Sequence, residues 1–172
     1  SPAPMAAGFY SVGALFVDEP KVTAAFQTGE GVAWGDHSDC LFCGTEKIFR
    51  PGYAAHLTNE WIPALSGVEA KLREGAKVAD VGCGHGASTI IMAKAYPKSQ
   101  FCGFDVHGRS IARAREAAGE EKLTNISFET VPSREMPGDD YDLIAFFDCL
   151  HDMGDPVGAL KRARGNLKED GT

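Results

Sequence analysis

Basic side chains are scarce in this sequence. Its 172 residues carry 17 Lys and Arg against 24 Asp and Glu, a formal net charge of −7. That balance argues against a nucleic-acid-binding surface, although an acidic protein can still hold a cationic ligand. No run of eighteen or more apolar residues occurs, so no segment reads as a membrane span. The start, Ser1-Pro2-Ala3-Pro4, lacks the basic residues and apolar run of a secretory signal. Internal repeats and low-complexity tracts are missing too. Cysteine is present in an odd number, as Cys40, Cys43, Cys83, Cys102 and Cys149. Three of these lie in or beside strand-like runs, so buried free thiols in a reducing, cytoplasmic setting are expected. Cys40-Leu41-Phe42-Cys43, with His37 three residues earlier, has the spacing of half a zinc site. A structural site takes four ligands, usually two such pairs. No second pair exists and nothing orders His56 toward the first, so incidental thiols and no bound metal are expected.

What is present is an ordinary globular composition, 44% hydrophobic and 24% charged, enough for one domain with a sizeable core. Its texture changes near residue 75. Residues 1–75 read as a helical or irregular lid or linker region, with short amphipathic helices at Lys21–Thr28 and Gly52–Leu65. The second of these spaces Tyr53, Leu57, Trp61 and Leu65 by four. That stripe reads either as packing against a sheet or as a lid helix over a ligand. Residues 76–172 alternate short β-like and helical runs, the rhythm of a parallel α/β sheet. Strands are expected at Lys77–Val81, Gln100–Phe104, Ile126–Val131 and Tyr141–Phe147. Helices are expected from Ala87 to Tyr96, from an N-cap at Ser110 to Ala118, and from Asp155-Pro156 to Asn166.

The informative segment is Val78-Ala79-Asp80-Val81-Gly82-Cys83-Gly84-His85-Gly86, where a strand runs into glycines and a helix begins at once. Glycine lets backbone approach a ligand, and the helix start presents unpaired N–H groups. Gly82, Gly84 and Ala87 also satisfy one version of the dinucleotide fingerprint. Asp80 separates the two readings. A pyrophosphate at this turn disfavours a neighbouring anion, whereas the ammonium of an S-adenosylmethionine tail is served by a carboxylate acceptor. Asp105 lies roughly 20 residues beyond the first glycine, at the tip of the second strand, where a carboxylate can accept from ribose hydroxyls.

These residues, together with Phe147-Asp148-Cys149-Leu150-His151-Asp152, resemble a class I S-adenosylmethionine-dependent methyltransferase. The chain is similar in particular to bacterial members that often carry a winged-helix domain upstream, from roughly Phe26 to the C-terminus. Phe49-Arg50-Pro51, Glu60-Trp61-Ile62-Pro63 and Cys149–Pro156 carry that closer likeness. The resemblance implies a Rossmann-like sheet of strand order 3-2-1-4-5-7-6, of which this sequence supplies the first four strands. The fourth strand would then sit at an open edge, favouring a homo-oligomer or pairing with a C-terminal half. It implies that Asp80 and the backbone of Gly82, Cys83, Gly84 and Gly86 hold the amino-acid end of S-adenosylmethionine or its product S-adenosylhomocysteine. Asp105 would hold the ribose, Val106 would lie beside the adenine, and Phe147 and Asp148 would flank the sulfonium. Such enzymes often place an acidic residue against the adenine amine after the third strand. Val131-Pro132-Ser133 occupies that stretch here, leaving Ser133 or backbone for the task.

His151 is the one candidate general base, since its ordinary range suits proton removal near neutrality. It reads equally as a hydrogen-bonded histidine of a helical turn, because in-line methyl transfer can rest on alignment and desolvation. The function expected is methyl transfer to a small-molecule acceptor whose identity the sequence does not specify. Two other readings stand beside it: a non-catalytic S-adenosylmethionine or S-adenosylhomocysteine sensor, and a nicotinamide-dependent oxidoreductase disfavoured by Asp80.

Overall fold

A computed structural model of the chain describes residues 5–172, with side chains from Ala7 onward. The segment Ser1-Pro2-Ala3-Pro4 lies outside the described residues. Two compact units divide at Gly52 and Tyr53.

The first unit is helical. Helix α1 spans Met5–Thr28 and helix α2 Asp39–Gly52, with a short 3-10 turn at Trp34–Asp36 between them. This corrects the expectation of a short helix at Lys21–Thr28. The chain stays helical through Gly8, Gly13 and Pro20 because tertiary packing outweighs their breaker tendency. The link between the helices is pinned by the buried Asp18. Its carboxylate accepts from the Ser38 N–H at 2.9 and 3.0 Å, from the Ser38 hydroxyl at 3.1 Å, and pairs with His37 Nδ1 at 3.2 Å. The backbone N–H of Ser38 is the main cause holding Asp18 down to about 2. His37 is thus engaged by a carboxylate, and Cys40 and Cys43 are free thiols.

The second unit carries the sheet. It opens with a π-helix at Tyr53–Trp61, then α3 (Ile62–Ala64) and α4 (Val68–Glu74). A single α-helix over Gly52–Leu65 was expected; the i→i+5 winding replaces it and swings the four-residue stripe around the helix. Only Leu57 of that stripe is fully buried, while Trp61 and Leu65 remain partly exposed. Strands β1 (Lys77–Val81), β2 (Gln100–Asp105), β3 (Ile126–Thr130) and β4 (Leu143–Ala145) form one parallel sheet in the order β3-β2-β1-β4. Helices α5 (Ala87–Ala95), α6 (Gly108–Glu120) and α7 (Pro156–Asn166) connect or follow them. Side chains alternate along β1, as strand geometry requires. Val78 packs with Leu72, Met92, Tyr96 and Phe101, whereas Ala79 and Val81 pack with Phe104, Met136 and Tyr141. Asp80 therefore points to the same face as Val78.

Three local expectations change. Helix α6 begins at Gly108 with His107 as N-cap, and the buried Ser110 bonds to His107 Nδ1 at 2.8 Å instead of capping. Asp155 does cap α7, accepting from the Gly158 N–H at 2.8 Å. The fourth strand is shorter than Tyr141–Phe147: it pairs with β1 only over Leu143–Ala145, and the carbonyl of Val81, next in register, accepts from the Cys149 thiol instead. Residues Ile144 to Phe147 are consequently half-buried. Its outer edge is not bare either. Tyr141 forms a parallel bridge with Leu167, the Thr172 N–H donates to the Asp142 carbonyl at 3.0 Å, and the Ile144 N–H donates to the Thr172 carbonyl at 2.9 Å. Among the described residues no helix is long and apolar enough to cross a membrane.

Candidate functional site

The C-terminal ends of β1, β2 and β4 converge on the glycine turn. Gly82, Gly84 and Gly86 all adopt left-handed backbone, with φ of 76°, 54° and 77°. Gly82 and Gly86 have no room for a side chain: a Cβ on Gly86 would lie 2.7 Å from Phe128 Cζ. A Cβ on Gly82 would lie 2.6 Å from Cys149 Sγ, while one on Gly84 meets nothing within 4 Å. Gly82 is therefore a packing contact, and Gly84 opens onto free space beside Asp105.

The turn's donors are largely engaged within the protein. The N–H groups of Gly82 and Cys83 both donate to the Phe104 carbonyl, at 2.7 and 3.1 Å, and that of Gly86 donates to the Cys83 carbonyl at 2.8 Å. The Gly84 N–H donates to Asp105 Oδ2 at 2.9 Å, and the His107 N–H to Asp105 Oδ1 at 2.8 Å. A pyrophosphate needs such donors; an ammonium needs acceptors. Asp80 supplies one. It is fully buried, and its Oδ2 accepts from the Ser88 hydroxyl at 2.6 Å and the Thr89 hydroxyl at 2.7 Å. Oδ1 is buried without any hydrogen-bond partner. Burial pushes its carboxyl up to about 6, the two hydroxyls pull the other way, and the nearby Asp105 adds to the rise. An orphaned buried oxygen is rare in folded proteins and calls for a partner or a functional role.

Residues 72–172 match the family model described as a methyltransferase domain. The chain belongs to the methyltransferase domain family. It is 27% identical over 157 residues to the ubiquinone biosynthesis O-methyltransferase of Acinetobacter baylyi, covering 89% of this chain and 60% of that protein. The chain thus spans about 60% of the length of this curated relative. Among solved structures it resembles PKMT2 from Rickettsia typhi in complex with AdoHcy, at 25% identity and a TM-score of 0.52, covering 56% of this chain and 20% of that one. The fold alone is also that of the mitomycin 7-O-methyltransferase MmcR, with a TM-score of 0.68 over 88% of this chain and 47% of that one, at 17% identity. The α/β sheet is the class I methyltransferase architecture.

Within this methyltransferase domain the remaining sequence-derived residues fall around the same strand ends. Val106 is 62% exposed directly after Asp105. Phe147 packs against Tyr53 at 5.4 Å between ring centroids, and Tyr53 in turn stands edge-on to Trp61 at 6.1 Å. The Tyr53 hydroxyl is pushed up by burial first, then by Asp80, Asp148 and Cys149, which places it among the site's acidic groups. Asp148 adopts a left-handed φ of 52°, uncommon outside glycine. The Ser133 hydroxyl lies 3.4 Å from the Met153 sulfur, and the buried Cys83 faces Phe128 and Gly103. His151 is exposed, with Nδ1 3.7 Å from Asp148 and Nε2 3.4 Å from Asp152. Three further residues escaped sequence reasoning. Ser88 and Thr89 lie eight and nine positions beyond Asp80 on the first turn of α5. Cys149 donates its thiol to the Val81 carbonyl at 3.1 Å, and burial pushes that thiol up to about 12. The hydroxyl pair could have been suspected from its place just after the turn.

Proposed function

We propose that this domain holds S-adenosylmethionine and serves methyl transfer to a small-molecule acceptor. The observation that carries the proposal is the buried, partnerless Oδ1 of Asp80 beside a turn whose own donors are engaged. When bound, S-adenosylmethionine supplies a methyl group on a cationic sulfonium.

Each residue has a part that its chemistry supports. Asp80 accepts from the ammonium, and the turn Gly82, Cys83, Gly84, Gly86 shapes the cradle, with Gly84 leaving room for the ligand. Asp105 receives the ribose hydroxyls. Each of its oxygens already accepts one backbone N–H, and each retains a second lone pair. Val106 presents an apolar surface to the adenine. The Ser133 oxygen can accept from the adenine amine while its hydroxyl donates to the Met153 sulfur. Phe147 and Asp148 flank the reacting centre, and Tyr53 beside Phe147 walls it from water. His151 is the candidate proton acceptor for an acceptor hydroxyl. In that role His151→Ala lowers turnover by roughly 10²–10⁴ while leaving cofactor affinity in place; a loss under about tenfold would leave only ion pairing with Asp148 and Asp152. Residues 76–172 are the cofactor-holding half in this reading, acting in the cytoplasm, and the segment from Tyr53 to Glu74, expected as part of a lid or linker over residues 1–75, packs into the core of that half.

Calorimetric titration of the chain with S-adenosylhomocysteine and, separately, with NAD tests the proposal. Saturable binding of the first with no comparable binding of the second supports it. Equal affinity for NAD, or no binding of S-adenosylhomocysteine, overturns it.

A further inference from the structure

Asp80 is an incomplete ion site. One oxygen is held by two hydroxyls on α5, the Ser88 and Thr89 side chains, and the other has no partner at all. Among the described residues, the titratable groups coupled to it bring no positive charge. They are Asp105 from β2, Tyr53 from the π-helix, Cys83 from the turn and Cys149 from the segment after β4. An ionised carboxylate enclosed in this way is costly unless a cation or a proton completes it.

We infer that a proton and the ligand's ammonium are alternative occupants of Asp80 Oδ1, so that cofactor uptake expels a proton, with Ser88 and Thr89 as the positioning residues that turn Oδ1 toward the ligand. This rests on the cofactor reading given above. The balance is simple. The O–H bond of the Asp80 carboxyl breaks and its proton goes to solvent. The ligand keeps all three N–H bonds of its ammonium, one of which is accepted by the freed oxygen. The raised position of the Asp80 carboxyl, about 6, sets the range over which this exchange is visible.

The two hydroxyls have a definite task. Each donates to Oδ2, so each favours the carboxylate over the carboxylic acid. They fix the carboxyl's rotation and also ease its ionisation. Without them the proton would hold Oδ1 to a higher pH, and the ligand would compete less well.

Titration of the 172-residue chain with S-adenosylhomocysteine between pH 5 and 8, in buffers of differing ionisation enthalpy, tests the inference. Near pH 5 binding should release close to one proton, falling to none by pH 8, and affinity should drop up to tenfold per pH unit below the midpoint. Thr89→Val should move that midpoint upward by about one unit, the equivalent of one hydrogen bond to a charged acceptor. Thr89→Ser, which keeps the hydroxyl, should restore it. A merely structural role for Thr89 would instead weaken binding equally at every pH. Asp80→Asn should bind more weakly with the proton release abolished. Binding with flat pH dependence, or proton release that survives in Asp80→Asn, overturns the inference and leaves the cofactor reading standing. Failure to bind at any pH overturns both.

Discussion

Cys149 occupies the space that a side chain at Gly82 would need: its Sγ lies 2.6 Å and its Cβ 2.7 Å from the position of a Cβ there. The same sulfur donates to the Val81 carbonyl, so the segment leaving β4 is fastened to the tip of β1. Gly82→Ala therefore meets two penalties. A left-handed φ costs a non-glycine residue about 1–2 kcal/mol, and the contact with Cys149 adds to it. Denaturant unfolding should show a loss of roughly 2–4 kcal/mol in total. In a double-mutant cycle, Cys149→Gly should recover the steric part but not the backbone part. Strict additivity of the two changes would show that the contact is relieved by a small shift and carries no cost.

Asp105 fastens the glycine turn to the end of β2. Asp105→Ala removes the acceptor for the Gly84 and His107 N–H groups as well as the proposed ribose acceptor. Affinity for S-adenosylhomocysteine should fall by on the order of 1.5–3 kcal/mol, the range for hydrogen bonds to a charged group. Calorimetry that finds unchanged affinity in a folded variant would remove Asp105 from the site.

The sheet, the bounds of β1 and the acidic residues at Asp80 and Asp105 were legible because they follow local rules. Apolar runs of strand length alternate with helical runs, and closely spaced glycines mark the turn between β1 and α5. The helix α1 was not legible. Only its last turns, Lys21–Thr28, were expected as helix, and the contacts with α2 through Gly44 and the Asp18 knot at Ser38 that accompany the longer helix leave no local signal. The fourth strand was read too long because apolar character says nothing about where the pairing with a neighbouring strand stops. Ser88, Thr89 and Cys149 join the site through side-chain bonds across 8, 9 and 68 positions of chain. Periodicity cannot reveal bonds of that kind.

The acidity of Asp80 has a consequence for the free protein. Its folded carboxyl lies near 6 against an ordinary 3.8, so between those values the folded chain holds a proton that the unfolded chain has lost. Stability of the ligand-free chain should therefore fall as pH rises from about 4 to 6 and level off above, by up to about 3 kcal/mol from this group. Asp18 acts in the opposite sense and lower down: its carboxyl sits near 2, so its contribution is present above 3.8 and disappears as pH falls toward 2. Unfolding midpoints of Asp80→Asn should lack the decline between pH 4 and 6. A decline as steep in the variant as in the parent would assign it to other groups.

The last six residues close the outer edge of β4. Leu167 bridges the buried Tyr141, and Thr172 both donates to Asp142 and accepts from Ile144. Lys168 pairs with Asp142 at 2.8 Å, and Asp170 pairs with Lys71 at 2.7 Å. The Lys71–Asp170 pair adds little, since exposed ion pairs are weak, whereas Asp142 is buried. The backbone bonds and the cover over Tyr141 matter more, because an uncovered strand edge presents unpaired groups to any other chain. A chain ending at Asn166 should lose about 2–4 kcal/mol of stability, from the three backbone hydrogen bonds that Lys168 and Thr172 make with Tyr141, Asp142 and Ile144 and from the Leu167 contact. It should also self-associate where the 172-residue chain does so less. Light scattering together with denaturant unfolding of the two chains, at matched concentration, checks both parts. A shortened chain that stays monomeric with an unchanged midpoint would show that β4 needs no cover on that side.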